Sequence, residues 1–259
     1  MILSQDQLRA AAPAAFSNHH PMTGAYSPVN TAAILDRMAE EGFVPVQAGQ
    51  DQPTSRDPRF VTHRIVLRHQ SQIGDEAEIG EHVPQIMLVN SHNGRTKLKL
   101  FGGLYRFICA NCLVVGDDKF RAAVTHRGDA PAEAARIAEE VTGNLNDLRR
   151  TIERWSKIEM PTGTAQMFAR RAAELRFGEV AGKSYDTAAL LAPRRERDEG
   201  RSLWRLYNTI QENTTKAGLV GHAATGRRVT TRELRAIGPD IKYNSALWAL
   251  AESYAGALQ

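Results

Sequence analysis

Cysteine is nearly absent: Cys109 and Cys112 are the two in 259 residues, too few for the disulfide framework of a small secreted domain. No stretch reaches the roughly 20 apolar residues of a membrane-crossing helix, and the first residues lack the apolar core of a secretion signal. The expectation is a cytoplasmic protein with no membrane partner. Aromatics are 7% of residues, so the core must rest mainly on Leu, Ile, Val and Ala. Lysine is scarce too, since arginine supplies 26 of the 33 cations. No His-Glu-x-x-His helix, nucleophile elbow, kinase set or deaminase cysteine pattern is present, and Gly218, Gly221 and Gly226 in the basic stretch from Arg194 to Arg235 do not match a phosphate-cradling loop. The sequence thus assigns no catalytic residue and requires neither a metal nor a nucleotide cofactor.

What is present points to a globular chain with a basic bias. Its 42% hydrophobic and 24% charged residues exclude a disordered or collagen-like chain. Its length suits one large domain or two small ones. The net charge of +4 is compatible with many functions, but arginine offers a planar, multidentate donor suited to phosphate.

Residues 1–27 read as a flexible N-terminal segment, with Ala10-Ala11-Ala12 in a short helix. Ser27-Pro28 reads as a helix start, followed by Ile34, Leu35 and Met38 as an inward stripe and Gly42 as the stop. Phe43 to Val46 suits an edge strand, because Pro45 cannot donate to a central ladder; Gly49 to Pro58 reads as a loop. Strands are expected at Val61–Arg68 and Pro84–Asn90. Asn93-Gly94 is a hairpin signal, with a return strand from Thr96 to Phe101. Leu98 and Leu100 alternate with Lys97, Lys99 and Phe101, giving one apolar and one basic face. Gly102-Gly103 then suggests a sharp turn or bulge, and Leu104 to Val115 is either a strand or a short buried helix.

The period then changes. Ile137, Val141, Leu145, Leu148, Ile152 and Trp155 are spaced 4, 4, 3, 4 and 3 apart, an amphipathic helix opened near Asp129 or Pro131 and closed before Pro161. Further helices are expected after Thr164, around Leu203 to Ile210, and over Ser245 to Ala255. The reading is an α+β fold: an antiparallel sheet in the N-terminal half packed against a long helix, then a helical C-terminal part. It is taken as one domain over 28–259, with a helical subregion from 129.

The run Asn90-Ser91-His92, followed by Phe101, Gly103, Arg106, Cys109 and Asn111, closely resembles the phage/plasmid-like protein family, domain of unknown function 932, found on mobile genetic elements. Cys112 departs from the glycine usual there. Leu203 to Asn208 and Thr214-Thr215-Lys216 resemble the family's C-terminal helix and its asparagine–threonine region, and the resemblance covers residues 25 to 255. It implies a structural motif of Asn90, Ser91, His92, Gly94, Gly103, Cys109 and Asn111, and no mechanism. More distantly, a sheet followed by a long helix is similar in element order to Rad52-like single-strand annealing proteins. That similarity implies homo-oligomeric rings that pair single-stranded DNA.

Between Pro84 and Asn111 there are four cations and no Asp or Glu. Arg95, Lys97, Lys99 and Arg106 are candidates for phosphate contact, with Phe101 and Tyr105 as base-stacking groups; the bland alternative is a solvated sheet face over core aromatics. A second basic area from Arg194 to Arg235 holds ten cations against five acids, from which Arg205, Arg227 and Arg228 are candidate extensions. Cys109 and Cys112 read as core thiols, with a zinc site needing help from His92, His82 or His63. Asn90, Ser91, His92 and Asn111 either border a small pocket with His92 as base or satisfy backbone groups in turns. The leading expectation is a single-stranded DNA-binding protein, an annealing protein in its stronger form, of a phage, prophage or plasmid. The alternatives are a non-enzymatic protein that engages a host protein in defence or replication, and a nucleic-acid-processing or small-molecule enzyme.

Overall fold

Alternation in the strands and a 3.6-residue period in the helices around them organise the first part of the chain. The computed structural model describes residues 2–17, 30–52, 61–74, 82–92, 97–106, 111–114, 121–124, 130–143, 145–179, 184–222 and 225–258. By its contacts the chain divides into two units, residues 1–145 and 146–259.

The first unit opens with α1 (Gln5–Ala11), started by a capping box: the Gln7 amide donates to Ser4 Oγ and the Ser4 amide to Gln7 Oε1. A 3-10 turn, Pro13–Phe16, follows. Leu8, Ala12, Ala14 and Ala15 are buried, and the Leu3 amide donates to the Pro45 carbonyl at 2.8 Å. Much of the segment read as flexible is therefore built into the fold, because its capping signal and alanine face give it something to bury. Helix α2 (Thr31–Glu40) starts after Asn30, whose side chain accepts from the Ala32 amide. Asn30 is thus the cap of α2, and the expected start at Ser27-Pro28 lies outside the described residues. Gly42 follows the helix at φ +81°, and a Cβ there would meet the His69 ring at 2.8 Å; only glycine fits that turn.

Six antiparallel strands follow: β1 (Phe43–Gln50), β2 (His63–His69), β3 (His82–Asn90), β4 (Leu98–Arg106), β5 (Asn111–Val114) and β6 (Arg121–Val124). Their order is β1-β2-β3-β4, with the second half of β4 paired to β5 and the first half to β6. β1 is an edge strand and its register slips between Pro45 and Gln47, which is how a sheet accommodates a proline. The register between β3 and β4 is unbroken from His82↔Arg106 to Val89↔Lys99. Gly102-Gly103 therefore makes neither turn nor bulge against β3. Both residues pair with β3, and on the other side the partner changes from β6, whose pairing ends at Phe101, to β5, whose pairing begins at Gly103. Leu104 to Val115 likewise resolves into the end of β4 and the short β5, with Phe107 to Ala110 outside the described residues.

Ile65, Leu67, Ile86, Leu88, Leu98 and Leu100 alternate onto one sheet face and are fully or almost fully buried. That face meets α2, through Ile34, Leu35 and Met38, and α3 (Ala130–Gly143), through Ala134, Ile137 and Ala138. Burial of one such side chain contributes roughly 1.5–3 kcal/mol. The expected long helix is two helices, α3 and α4 (Leu145–Lys157). The apolar spacing stays in phase from α3 into α4, and Asn144 between them lies outside the described residues.

The second unit holds most of α4, α5 (Thr162–Phe177), α6 (Thr187–Leu191), α7 (Leu203–Thr215) and α8 (Ile237–Ala257), with a ribbon of β7 (Val220–His222) and β8 (Arg228–Thr230). α5 starts at Thr162 rather than after Thr164, and α8 begins earlier than expected. All three tryptophans of the chain are here. The Trp155 ring is fully buried, 4.4 Å from Trp248, 5.5 Å from Tyr207 and 6.1 Å from Trp204. The α+β reading holds, with the antiparallel sheet in the N-terminal half and helices in the C-terminal part.

Candidate functional site

Asn90-Ser91-His92 ends β3 beside the start of α2, and its side chains turn inward. Thr31 Oγ1 lies 2.9 Å from His63 Nε2, 3.2 Å from His92 Nε2 and 3.1 Å from Asn90 Nδ2. The two imidazoles meet edge to face at 5.1 Å, and none of these four residues is more than 1% exposed. His92 Nδ1 is 2.9 Å from the Ser17 carbonyl, and the Ser91 amide donates to Asn90 Oδ1 at 2.8 Å.

The chemistry of the partners fixes the hydrogens when both rings are neutral. A carbonyl only accepts, so His92 Nδ1 carries its hydrogen and His92 Nε2 offers a lone pair. Thr31 donates to that lone pair. Its own two lone pairs then receive Asn90 Nδ2–H and His63 Nε2–H. The motif thus fastens the start of α2 to the ends of β2 and β3.

His92 is consequently closed off as a general base at a pocket, and Asn111 is far from it. Val89 pairs with Lys99 at one end of β4, whereas Asn111 pairs with Arg106 at the other. That separation is about 23 Å at 3.3 Å per strand residue. Of the two readings of Asn90, Ser91, His92 and Asn111, the shared pocket does not form, because Asn111 lies at the other end of β4 from the first three. Gly103, also of the motif, is buried within β4. Sequence reasoning missed Thr31 and gave His63 only a marginal role. The available signal was parity, since His63 shares the inward face of Ile65 and Leu67.

In the second unit, the polar end of α7 is equally committed to structure. Asn213 Nδ2 donates to the carbonyls of Leu190 and Ala192, both at 2.9 Å, while its Oδ1 accepts from Arg194 Nε at 2.7 Å. Thr214 Oγ1 bonds Tyr243 Oη at 2.6 Å and the Ile210 carbonyl at 2.7 Å. Gln211 donates to Asn244, and Thr215 back to the Gln211 carbonyl. Glu212, 4% exposed, pairs with Arg195 at 2.6 Å. Burial pushes the Tyr243 and Tyr207 hydroxyls far above their ordinary range.

These bonds sort the basic residues. Arg201 donates to the Met160 carbonyl, and Arg205 to the Glu199 carbonyl beside Gly200. Arg205 therefore braces its own helix start instead of standing ready for phosphate. Lys216 and Arg235 both reach Glu233, whose carboxyl is held below its usual range chiefly by the Arg235 hydrogen bond, then by Lys216. The side chains of Arg227, Arg228 and Arg232 are exposed and make no hydrogen bond or ion pair among the described residues.

In the first unit, Lys97 and Lys99 are likewise exposed and unpaired. None of the six strands contains an Asp or Glu. Phe101 departs from the expectation. It is 7% exposed, packed on the face that also buries Val66, Met87 and Val89, so its ring is not presented for base stacking. Tyr105 and Arg106 lie at the end of β4, opposite Cys112 and Asn111 in the ladder. Gly94, Arg95 and Cys109 lie outside the described residues. Among the described residues no group of three or more His, Cys, Asp or Glu could hold a metal ion, and no helix is long and apolar enough to cross a membrane.

The family profile described as "Domain of unknown function (DUF932)" matches residues 18–248. The chain belongs to the DUF932 family. The match begins and ends slightly earlier than the 25 to 255 read from the motifs, and it covers both the hub at Thr31 and the clasp at Asn213. Two curated relatives from Escherichia coli (strain K12), UPF0380 protein YfjQ and UPF0380 protein YafZ, are similar to this DUF932 chain. Each is 35% identical over 262 residues, covering 99% of this chain and 93% of its own. No solved structure matches the chain.

Proposed function

We propose that this protein binds single-stranded DNA through the basic first half of β4. The observation that carries the reading is charge segregation on the sheet: Lys97 and Lys99 stand exposed and unpaired, and the surrounding strands carry no carboxylate. Phosphate contact needs cations that are not already neutralised. Arg95 and Arg106 remain candidate phosphate contacts from the sequence alone, and Tyr105 the candidate stacking group in place of Phe101. Pairing of complementary strands, as in the annealing proteins, is the further step of this reading.

Anisotropy of labelled single-stranded and duplex DNA, titrated at about 50 and 200 mM salt, tests it. The expected result is sequence-tolerant binding that prefers single strands and weakens steeply with salt. Lys97→Ala with Lys99→Ala should weaken binding to every sequence alike. The variant should also flatten the plot of log affinity against log salt by about 0.7 per lost contact. Absence of binding at both salt concentrations overturns the proposal.

A further inference from the structure

The excess positive charge resides in the second unit. Residues 146–259 carry 19 Lys or Arg against 13 Asp or Glu, whereas residues 1–145 carry 14 against 16. Within the second unit, three arginines whose side chains have no partner among the described residues, Arg227, Arg228 and Arg232, lie on and just beyond one element, the β7–β8 ribbon, while Arg149 and Arg170 stand apart on α4 and α5. From Ala217 to Arg232 the sequence has no carboxylate and three arginines, Arg227, Arg228 and Arg232. His222 faces Arg228 across the ladder, and both are exposed.

The ribbon has a fixed inner side and a free outer side. Gly221 is buried, and a Cβ added to it would come within 2.5 Å of the Tyr185 ring, so the ribbon rests its backbone on that ring. Its root is pinned: the Leu219 amide donates to Thr231 Oγ1 at 3.0 Å and the Thr231 amide to the Leu219 carbonyl at 2.8 Å. Strand alternation then turns His222, Arg228 and Thr230 to the opposite face, and all three are exposed.

We infer that this outer face, with Arg227 and Arg232 flanking β8, is a phosphodiester-binding surface in its own right, a nucleic-acid contact of the second unit additional to the one proposed on the sheet. The inference uses other residues than the sheet strip and stands whether or not that strip binds. Nucleic acid is favoured over an anionic membrane because the cations are all arginine, whose fork matches phosphate. The hydroxyls of Thr225 and Thr230 add neutral donors, and the ribbon exposes no large apolar side chain that would enter a bilayer.

The test uses the full chain, a labelled single-stranded oligonucleotide of about 12 nucleotides, and stoichiometric titration at low salt. The chain should take two oligonucleotides, or one where the sheet strip is silent. The variant Arg227→Ala, Arg228→Ala, Arg232→Ala should take one fewer, the lost site having a salt slope of about 2 for three contacts. Its arginine-to-lysine counterpart should keep the second site with weakened affinity, and circular dichroism should show all variants folded. If Lys97→Ala with Lys99→Ala leaves the ribbon's oligonucleotide bound, the inference stands even where the sheet strip proves silent. Three outcomes overturn it: one oligonucleotide on the unaltered chain that the arginine changes leave in place, no oligonucleotide at all, or an arginine-dependent preference for phosphatidylserine vesicles over DNA.

Discussion

The Thr31 hydroxyl has one hydrogen to give and two lone pairs to fill, and its three neighbours match that count. That balance gives an otherwise costly cluster of buried polar groups a place in the core. Replacing Thr31 by Val keeps the shape and leaves His63, His92 and Asn90 each short of a partner. The loss should be about 3 kcal/mol, seen as a lower urea midpoint by circular dichroism, while Thr31→Ser should restore most of it. Heteronuclear spectra of the imidazole nitrogens should show hydrogen on His92 Nδ1 and on His63 Nε2; the opposite tautomers would contradict the bonding scheme. The sequence showed that Asn90, Ser91 and His92 belong together. It could not show their partner, because Thr31 is 61 residues away from His92 and nothing in its local pattern marks a hub.

At the scale of elements, alternation and punctuation located the strands well, and the errors have a common cause. Gly102-Gly103 looks like a break because glycine weakens an isolated strand. β4 is the most heavily paired strand of the sheet, bonded to β3, β5 and β6, and that pairing outweighs local preference. Gly221 is a second case, a glycine whose purpose is visible only in three dimensions. Gly221→Ala should push the ribbon off the Tyr185 ring, which itself lies 4.4 Å from Phe177. The expected result is a lower melting temperature and faster amide exchange in residues 219–231. Adding Tyr185→Ala should recover part of the loss, because the smaller side chain removes the clash; a purely additive double variant would place the strain elsewhere.

At the scale of the molecule, the two units can be followed by separate probes. All three tryptophans lie in residues 146–259, so their fluorescence reports the second unit, while far-ultraviolet dichroism reports both. That unit also buries Tyr207 and Tyr243, whose hydroxyls are held far above the ordinary tyrosine range by desolvation. A raised folded-state value means that the unfolded chain releases its tyrosine protons first, near pH 10. The stabilisation from keeping these hydroxyls neutral is therefore complete below about pH 10 and falls as pH rises beyond it, by about 1.4 kcal/mol per pH unit for each tyrosine. The urea midpoint followed by tryptophan fluorescence should be level from pH 8 to pH 9.5 and drop steeply above pH 10. Tyrosinate absorbance from Tyr207 and Tyr243 should appear only with unfolding. Tyr207→Phe combined with Tyr243→Phe should flatten the alkaline drop, although losing the Thr214 bond lowers its starting stability. A drop of equal slope in the double variant would assign the alkaline sensitivity to other groups.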